Sequence, residues 1–194
     1  MAPFGILIVA VCALLVAGAY HESLNPILRF DREGIARGEW WRLITGHYVH
    51  LSLNHAAMNA ACFGLLGVLF QSDFGLRRWY GAWLFVSVCV ALALWWGSSE
   101  IQWYVGLSGA LYGMSAAGLL LFWRRLPWLY GASYALVVCK VLTQPLGQDT
   151  TAMSLFIGGD VIAVAHLYGL VAGHLWVLLI HSWGLCRRNF SSNK

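Results

Sequence analysis

The chain holds 194 residues, 60% of them hydrophobic and only 10% charged, with a formal net charge of +4. Soluble domains carry roughly 25% charged residues, so this composition excludes an ordinary soluble enzyme and indicates a multi-pass membrane protein. The excess positive charge flanks apolar runs, which leaves nothing for a nucleic-acid partner to explain.

A membrane-crossing helix needs about 20 apolar residues. Six stretches approach that length, at residues 3–19, 54–70, 80–96, 104–123, 126–142 and 161–183, and nearly all the charge lies between them. The expected architecture is an all-α membrane bundle in one domain, 1–194. The first run ends in Ala17-Gly18-Ala19, small residues of the kind found at a signal-peptide cleavage site. No basic leader precedes it, so it is expected to be a retained span.

A long loop follows, in which Arg29, Arg32, Arg37 and Arg42 are offset by Glu22, Asp31, Glu33 and Glu39. The second run opens with His55 and Asn59, an i,i+4 pair on one helix face. Arg77 and Arg78 separate it from the third. The fourth begins with Gly106-Leu107-Ser108-Gly109, places Tyr112 one turn beyond Ser108, and ends at Arg124 and Arg125. Lys140 lies near the end of the fifth, where its stem can snorkel toward headgroups. Residues 144–159, with Pro145 and three glycines, are expected to form a flexible cap. The sixth run carries Ala165-His166-Leu167-Tyr168-Gly169 and is followed by Arg187, Arg188 and Lys194. Cys12, Cys62, Cys89, Cys139 and Cys186 lie singly and read as small apolar residues, not as disulfides or metal ligands.

The basic residues give the orientation. With the N-terminus inside, Arg77, Arg78, Arg124, Arg125, Arg187, Arg188 and Lys194 all fall on the cytoplasmic face, as the positive-inside rule requires. Both termini are then cytoplasmic. The second, fourth and sixth spans enter from the outer face. Counted from Tyr104 and Asp160, Ser108 and His166 each lie roughly 6–9 Å down their helices. His55 and Asn59 fall in the same outer layer, so four polar side chains from three spans share one depth.

Polar groups inside a membrane are costly and tend to be functional. Gly109, Gly113 and Ala117 form a smooth strip on the fourth span, and Ala165, Gly169 and Gly173 form another on the sixth. Small residues at this spacing let two membrane helices approach closely. Close approach brings a serine hydroxyl within hydrogen-bonding reach of an imidazole, about 2.6–3.2 Å, which is the arrangement of an activated nucleophile and its base.

Each feature alone has a plainer explanation. A serine in a membrane helix usually bonds its own backbone, and small-residue strips usually mean packing. His174 and His181 read as structural. His47, His50 and His55 suggest a metal site, but no cysteine or acidic residue completes one at a usual spacing. The conjunction of order, face and depth favours the catalytic reading.

Trp41-Arg42, His50-Leu51-Ser52-Leu53-Asn54-His55 with Asn59, Gly106-Leu107-Ser108-Gly109 with Tyr112, and Ala165-His166 with Gly169 and Gly173 together resemble the rhomboid intramembrane serine proteases. The resemblance runs from about residue 40 to 173 and implies a six-transmembrane-helix bundle whose first loop lies partly embedded in the outer leaflet. It implies a dyad of Ser108 and His166 with no third acid and no cofactor or metal, so Asp160 is expected to be a helix N-cap. By the same resemblance His55, Asn59 and the Ser108 amide stabilise the oxyanion, and Tyr112 packs on the His166 ring. Gly106 lets the backbone pass close to substrate, Gly109, Gly169 and Gly173 support the site, and the fifth span is a side gate. Trp41 and Arg42 match a structural loop motif.

The segment from Trp40 to His55 resembles the rhombosortase branch in particular. That implies a bacterial inner-membrane enzyme opening to the periplasm, acting on exported proteins with a C-terminal Gly-Gly-type motif, a hydrophobic anchor and a basic tail. The alternatives are a general rhomboid protease with other single-span substrates and a non-cleaving, rhomboid-like chaperone of membrane helices. The chaperone does not need the intact Ser108 and His166. A transporter or channel would place ionisable residues deep in the bundle, whereas Lys140 and Asp160 lie near span ends.

Overall fold

The computed structural model describes residues 11–13, 24–144 and 150–191. Apart from 11–13, the expected first span lies outside the described residues. The first loop folds into short, tied elements. Helix α1 (Asn25–Leu28) carries proline in its first turn, strand β1 is Phe30–Asp31, and α2 (Arg32–Ala36) is N-capped by the Asp31 carboxylate, which accepts from the Gly34 amide at 3.0 Å. Helix α3 is Arg42–Thr45.

Helix α4 (Leu53–Gly97) contains the second and third expected spans in one run of 45 residues. Ser52 caps it by accepting from the His55 amide. The run breaks at Gly75, whose φ of 65° and ψ of 163° are open to glycine and costly for other residues. Its two arms hold apolar spans at Leu53–Phe70 and Asp73–Gly97. Strand β2 (Trp103–Tyr104) pairs antiparallel with β1, Phe30 opposite Tyr104. Then come α5 (Ser108–Leu121), a 3-10 turn at Trp123–Arg125, α6 (Pro127–Thr143), α7 (Thr150–Ile157) and α8 (Ala163–Ser191). Within α8, Ala163–Ser182 is also long and apolar enough to cross a membrane. The fold is an all-α membrane bundle, with one two-residue strand pair on the loop side.

The fourth expected span, 104–123, needs correction. Tyr104 is committed to β2, and Gly106 turns with φ of 108°, so the helix starts only at Ser108. With 14 residues, α5 is about 21 Å long. It occupies the centre of the bundle, packed against α4, α6 and α8, and nine of its residues are buried. Along its seam with α8 the two glycine strips meet. A Cβ on Gly169 would overlap the Gly109 carbonyl, and one on Gly173 would overlap that of Gly113. No side chain separates the backbones.

At the end of the bundle marked by Asp73 and Arg125, which pair, aromatic rings fill the core. Phe70, Phe74, Trp79 and Phe122 meet edge-on or tilted, with Phe74 and Phe122 centroids 5.1 Å apart. At the other end the loop arginines act as internal ties. The Arg32 guanidinium donates to the carbonyls of Leu94, Trp95 and Ser98 at 2.8 Å and of Ile101 at 3.2 Å, closing the end of α4. The Trp95 carbonyl is one of those a helix terminus leaves without an intrahelical partner. Buried Arg42 pairs with Glu39 and donates to the Pro26 and Arg29 carbonyls at 2.9 and 3.0 Å, while Trp41 is half exposed.

Candidate active site

Ser108 is the first residue of α5, not a residue one turn inside it. Its N–H therefore has no intrahelical acceptor and sits at the positive end of the helix dipole. The Gly106 turn, tied by its N–H to the Gly46 carbonyl at 3.0 Å, delivers the chain there. His166 is the fourth residue of α8. Because the glycine seam holds α5 against α8, the Ser108 Oγ and His166 Nε2 come to 2.8 Å.

The other imidazole nitrogen, Nδ1, lies 2.6 Å from Oε1 of Gln144, the residue that caps α6. An amide oxygen only accepts. Nδ1 is therefore the protonated nitrogen, and Nε2 presents a lone pair to the Ser108 hydroxyl. Tyr112 lies against the same ring, centroids 4.5 Å apart and planes at 40°.

Facing this pair are two donors from α4. The His55 Nδ1 accepts a long hydrogen bond from the Leu51 N–H, 3.5 Å, which leaves Nε2–H free to donate. The Asn59 Nδ2 is buried and has no hydrogen-bond partner among the described residues. A buried donor without a partner carries a desolvation cost of about 1–3 kcal/mol, which a negative oxygen placed beside it would relieve. Both donors point at the place where Gly106 lacks a side chain. A Cβ there would stand 2.8 Å from His55 Nε2 and 3.5 Å from Asn59 Nδ2. Ser108, His55, Asn59, Tyr112, Gln144 and His166 line one cavity of about 870 Å³. Such a set can attack a carbonyl, hold the resulting negative oxygen and return a proton to a leaving group.

Other sequence candidates fall elsewhere. Gly109, Gly169 and Gly173 lie in the seam, behind the cavity. The His47 Nε2 bonds the Ser87 carbonyl at 2.9 Å. His50 stands edge-on to His55 at 4.9 Å, and burial, then the neighbouring His55, pushes its pKa down to about 3. An uncharged His50 leaves His55 free of a facing cation. In α8, the His174 Nδ1–H donates to the Leu170 carbonyl and Nε2 accepts from the Tyr134 hydroxyl at 2.6 Å. His181 bonds the Val177 carbonyl at 2.9 Å. Lys140 lines the cavity as well as being exposed. Asp160 is not a cap: α8 begins three residues later, at Ala163, and Asp160 is exposed at the cavity lining.

In the sequence Gln144 reads only as the first residue of the cap segment 144–159. The available signal was a polar side chain at the outer end of the fifth span, level with His166. Of that segment, 145–149 lie outside the described residues, and Thr150–Ile157 is helical. It docks on the start of α4, with the Ser52 hydroxyl donating to the Ile157 carbonyl at 2.7 Å and the Asn54 amide to that of Phe156 at 3.2 Å.

Comparison with known proteins places the chain in a family. The Rhomboid domain family model matches residues 37–183. The putative rhomboid protease YdcA of Bacillus subtilis (strain 168) is 25% identical over 142 residues, 73% of this chain and 68% of that protein. Rhomboid protease GluP of the same strain is 31% identical over 166 residues, 82% of this chain but 28% of the relative. This chain thus spans about two thirds of the first relative's length and under a third of the second's. It belongs to the rhomboid family of intramembrane serine proteases.

Proposed function

We propose that the chain cleaves membrane-anchored proteins by a Ser108–His166 dyad. The observation that carries this reading is the 2.8 Å contact between Ser108 Oγ and His166 Nε2 inside a cavity that also holds unpartnered donors. His166 takes the hydroxyl proton as Oγ attacks the scissile carbonyl. The negative oxygen then sits among His55 Nε2–H, Asn59 Nδ2–H and the Ser108 N–H. The carbon–nitrogen bond breaks as His166 protonates the leaving amine, and water, deprotonated by the same imidazole, releases the acyl group. Tyr112 supports the ring, Gly106 keeps the oxyanion space open, and Gly109, Gly169 and Gly173 fix the separation. No metal or cofactor takes part.

The whole chain, 1–194, acts as one membrane domain with six spans. The end that carries Arg77, Arg78, Arg124 and Arg125 faces the cytoplasm together with both termini, and Ser108 opens toward the periplasm of a bacterial inner membrane. The exposed Ile27, Trp40, Trp41 and Ile44 of the first loop support its partial embedding in the outer leaflet. The substrates are exported proteins with a C-terminal hydrophobic anchor preceded by a Gly-Gly-type motif, by likeness of residues 40–55 to rhombosortases. A general rhomboid protease with other single-span substrates is the alternative.

Labelling of the detergent-solubilised protein with a fluorophosphonate tests the dyad. Label lost in both Ser108→Ala and His166→Ala is the expected result; label retained in folded Ser108→Ala would falsify it. Co-expressed reporters with and without the Gly-Gly motif before the anchor then test the substrate class, and equal cleavage of the two favours the alternative.

A further inference from the structure

The Ser108–His166 pair has a third partner, on a different helix. We infer that Gln144 is the positioning residue of the catalytic base, fixing the His166 tautomer and ring orientation from the end of α6. The inference rests on the proposed dyad.

Three observations carry it. The contact is short, 2.6 Å from Nδ1 to Oε1. Both residues are buried, Gln144 at 8% exposure and His166 at 5%, so bulk water does not compete for the bond. Finally, the chemistry permits one arrangement. If the amide nitrogen faced Nδ1, that nitrogen would have to accept, and the proton would sit on Nε2. An Nε2–H cannot take the Ser108 proton. Only the oxygen-facing arrangement gives a base, so the amide selects the working form of the imidazole. No Asp or Glu among the described residues hydrogen-bonds His166. A neutral acceptor suits this site, since a buried carboxylate is costly to ionise.

The placement of Gln144 adds a structural dependence. The polar contacts of α6 with α8 run through two imidazoles, Gln144 to His166 at the cavity and Tyr134 to His174 further along, with Val141 and Leu170 clustered beside them. Orientation of the base thus depends on α6 being seated against α8, whereas the serine–histidine separation depends on the α5–α8 seam.

The test uses full-length protein and a cleavable anchored reporter. Gln144→Met keeps length and volume but removes the acceptor. Gln144→Glu retains an acceptor oxygen, whether or not the carboxyl is protonated. The expected result is a fall in kcat of about 10²-fold for Gln144→Met with KM unchanged, the lower end of what a positioned general base contributes, and substantial recovery in Gln144→Glu. Wild-type kcat in Gln144→Met, or equal loss in both variants, overturns the inference. Should Gln144→Met fail to fold, 15N spectra of wild-type imidazoles decide, with His166→Gln assigning the signal. An Nδ1–H tautomer supports the role and an Nε2–H tautomer overturns it. Ser108→Ala run in parallel separates the two ideas: turnover retained there sinks the dyad itself, whereas its loss beside a fully active Gln144→Met sinks only Gln144.

Discussion

The two faces that α8 offers to its neighbours are built in opposite ways. Toward α5 it presents Gly169 and Gly173, and the backbones touch with no side chain between them. Toward α6 it presents imidazoles, His166 and His174, which make hydrogen bonds at 2.6 Å on either side of Leu170, itself clustered with Val141 and Ala116. α5 buries nine of its residues, whereas α6 buries only Tyr130 and Val141. The first face sets a distance and the second sets an orientation. Close-packed backbones have no small adjustments available, whereas a peripheral helix with two buried residues is fixed by fewer contacts.

That contrast can be broken most severely at the seam. Gly169→Leu has no space, since even its Cβ would overlap the Gly109 carbonyl, so α5 and α8 must part. A displacement of 1 Å at a reacting pair costs about 10²-fold in rate. Reporter turnover should fall at least that far, with a lower unfolding temperature. Gly106→Ala comes next, because its methyl would enter the space that His55 and Asn59 face. Its kcat should drop by about 10²–10³-fold, the usual effect of losing one oxyanion donor, and Asn59→Ala should match it with KM little changed. The α6 face should respond more mildly. Tyr134→Phe removes one hydrogen bond, worth about 0.5–1.5 kcal/mol, and should lower the unfolding temperature slightly while fluorophosphonate labelling of Ser108 continues. If Tyr134→Phe instead abolished labelling, the division between distance and orientation would be wrong.

The smallest effect is expected in the first loop. Asp31 is partly buried, which alone would raise its pKa, but the Gly34 N–H and Arg29 hold the carboxyl below its ordinary range. A depressed carboxylate adds stability above its unfolded pKa of about 3.9 and loses it as pH falls through the lower folded value. Asp31→Asn should therefore narrow the stability difference between neutral and acidic pH, read by thermal unfolding at pH 7 and pH 3.

Periodic features of the site were legible in the sequence. Gly109 and Gly113 repeat every four residues opposite Gly169 and Gly173, and helix geometry alone puts each pair on one face. The same arithmetic aligned His55 with Asn59 and Ser108 with Tyr112. Features set by a single tertiary contact were not. Arg32 read as a loop charge balanced by acids, yet it caps a helix end more than 60 residues away. Gln144 stood outside every repeat and pairs across 22 residues. The start of α5 was misplaced because Tyr104 and Val105 are as apolar as a helix interior. Only pairing of β2 with β1 and the Gly106 turn take them out of it.

The break at Gly75 bears on the order of folding. It joins two membrane spans with a single glycine instead of a flexible loop, so bringing the arms of α4 together carries little loop-closure entropy. The Ser108–His166 contact, by contrast, closes across 58 residues and requires α6 and α7 to have been laid down between them. Helix content should therefore return early on refolding from denaturant, and reactivity of Ser108 toward a fluorophosphonate should return last. Labelling of Ser108 then serves as an internal clock for completed assembly.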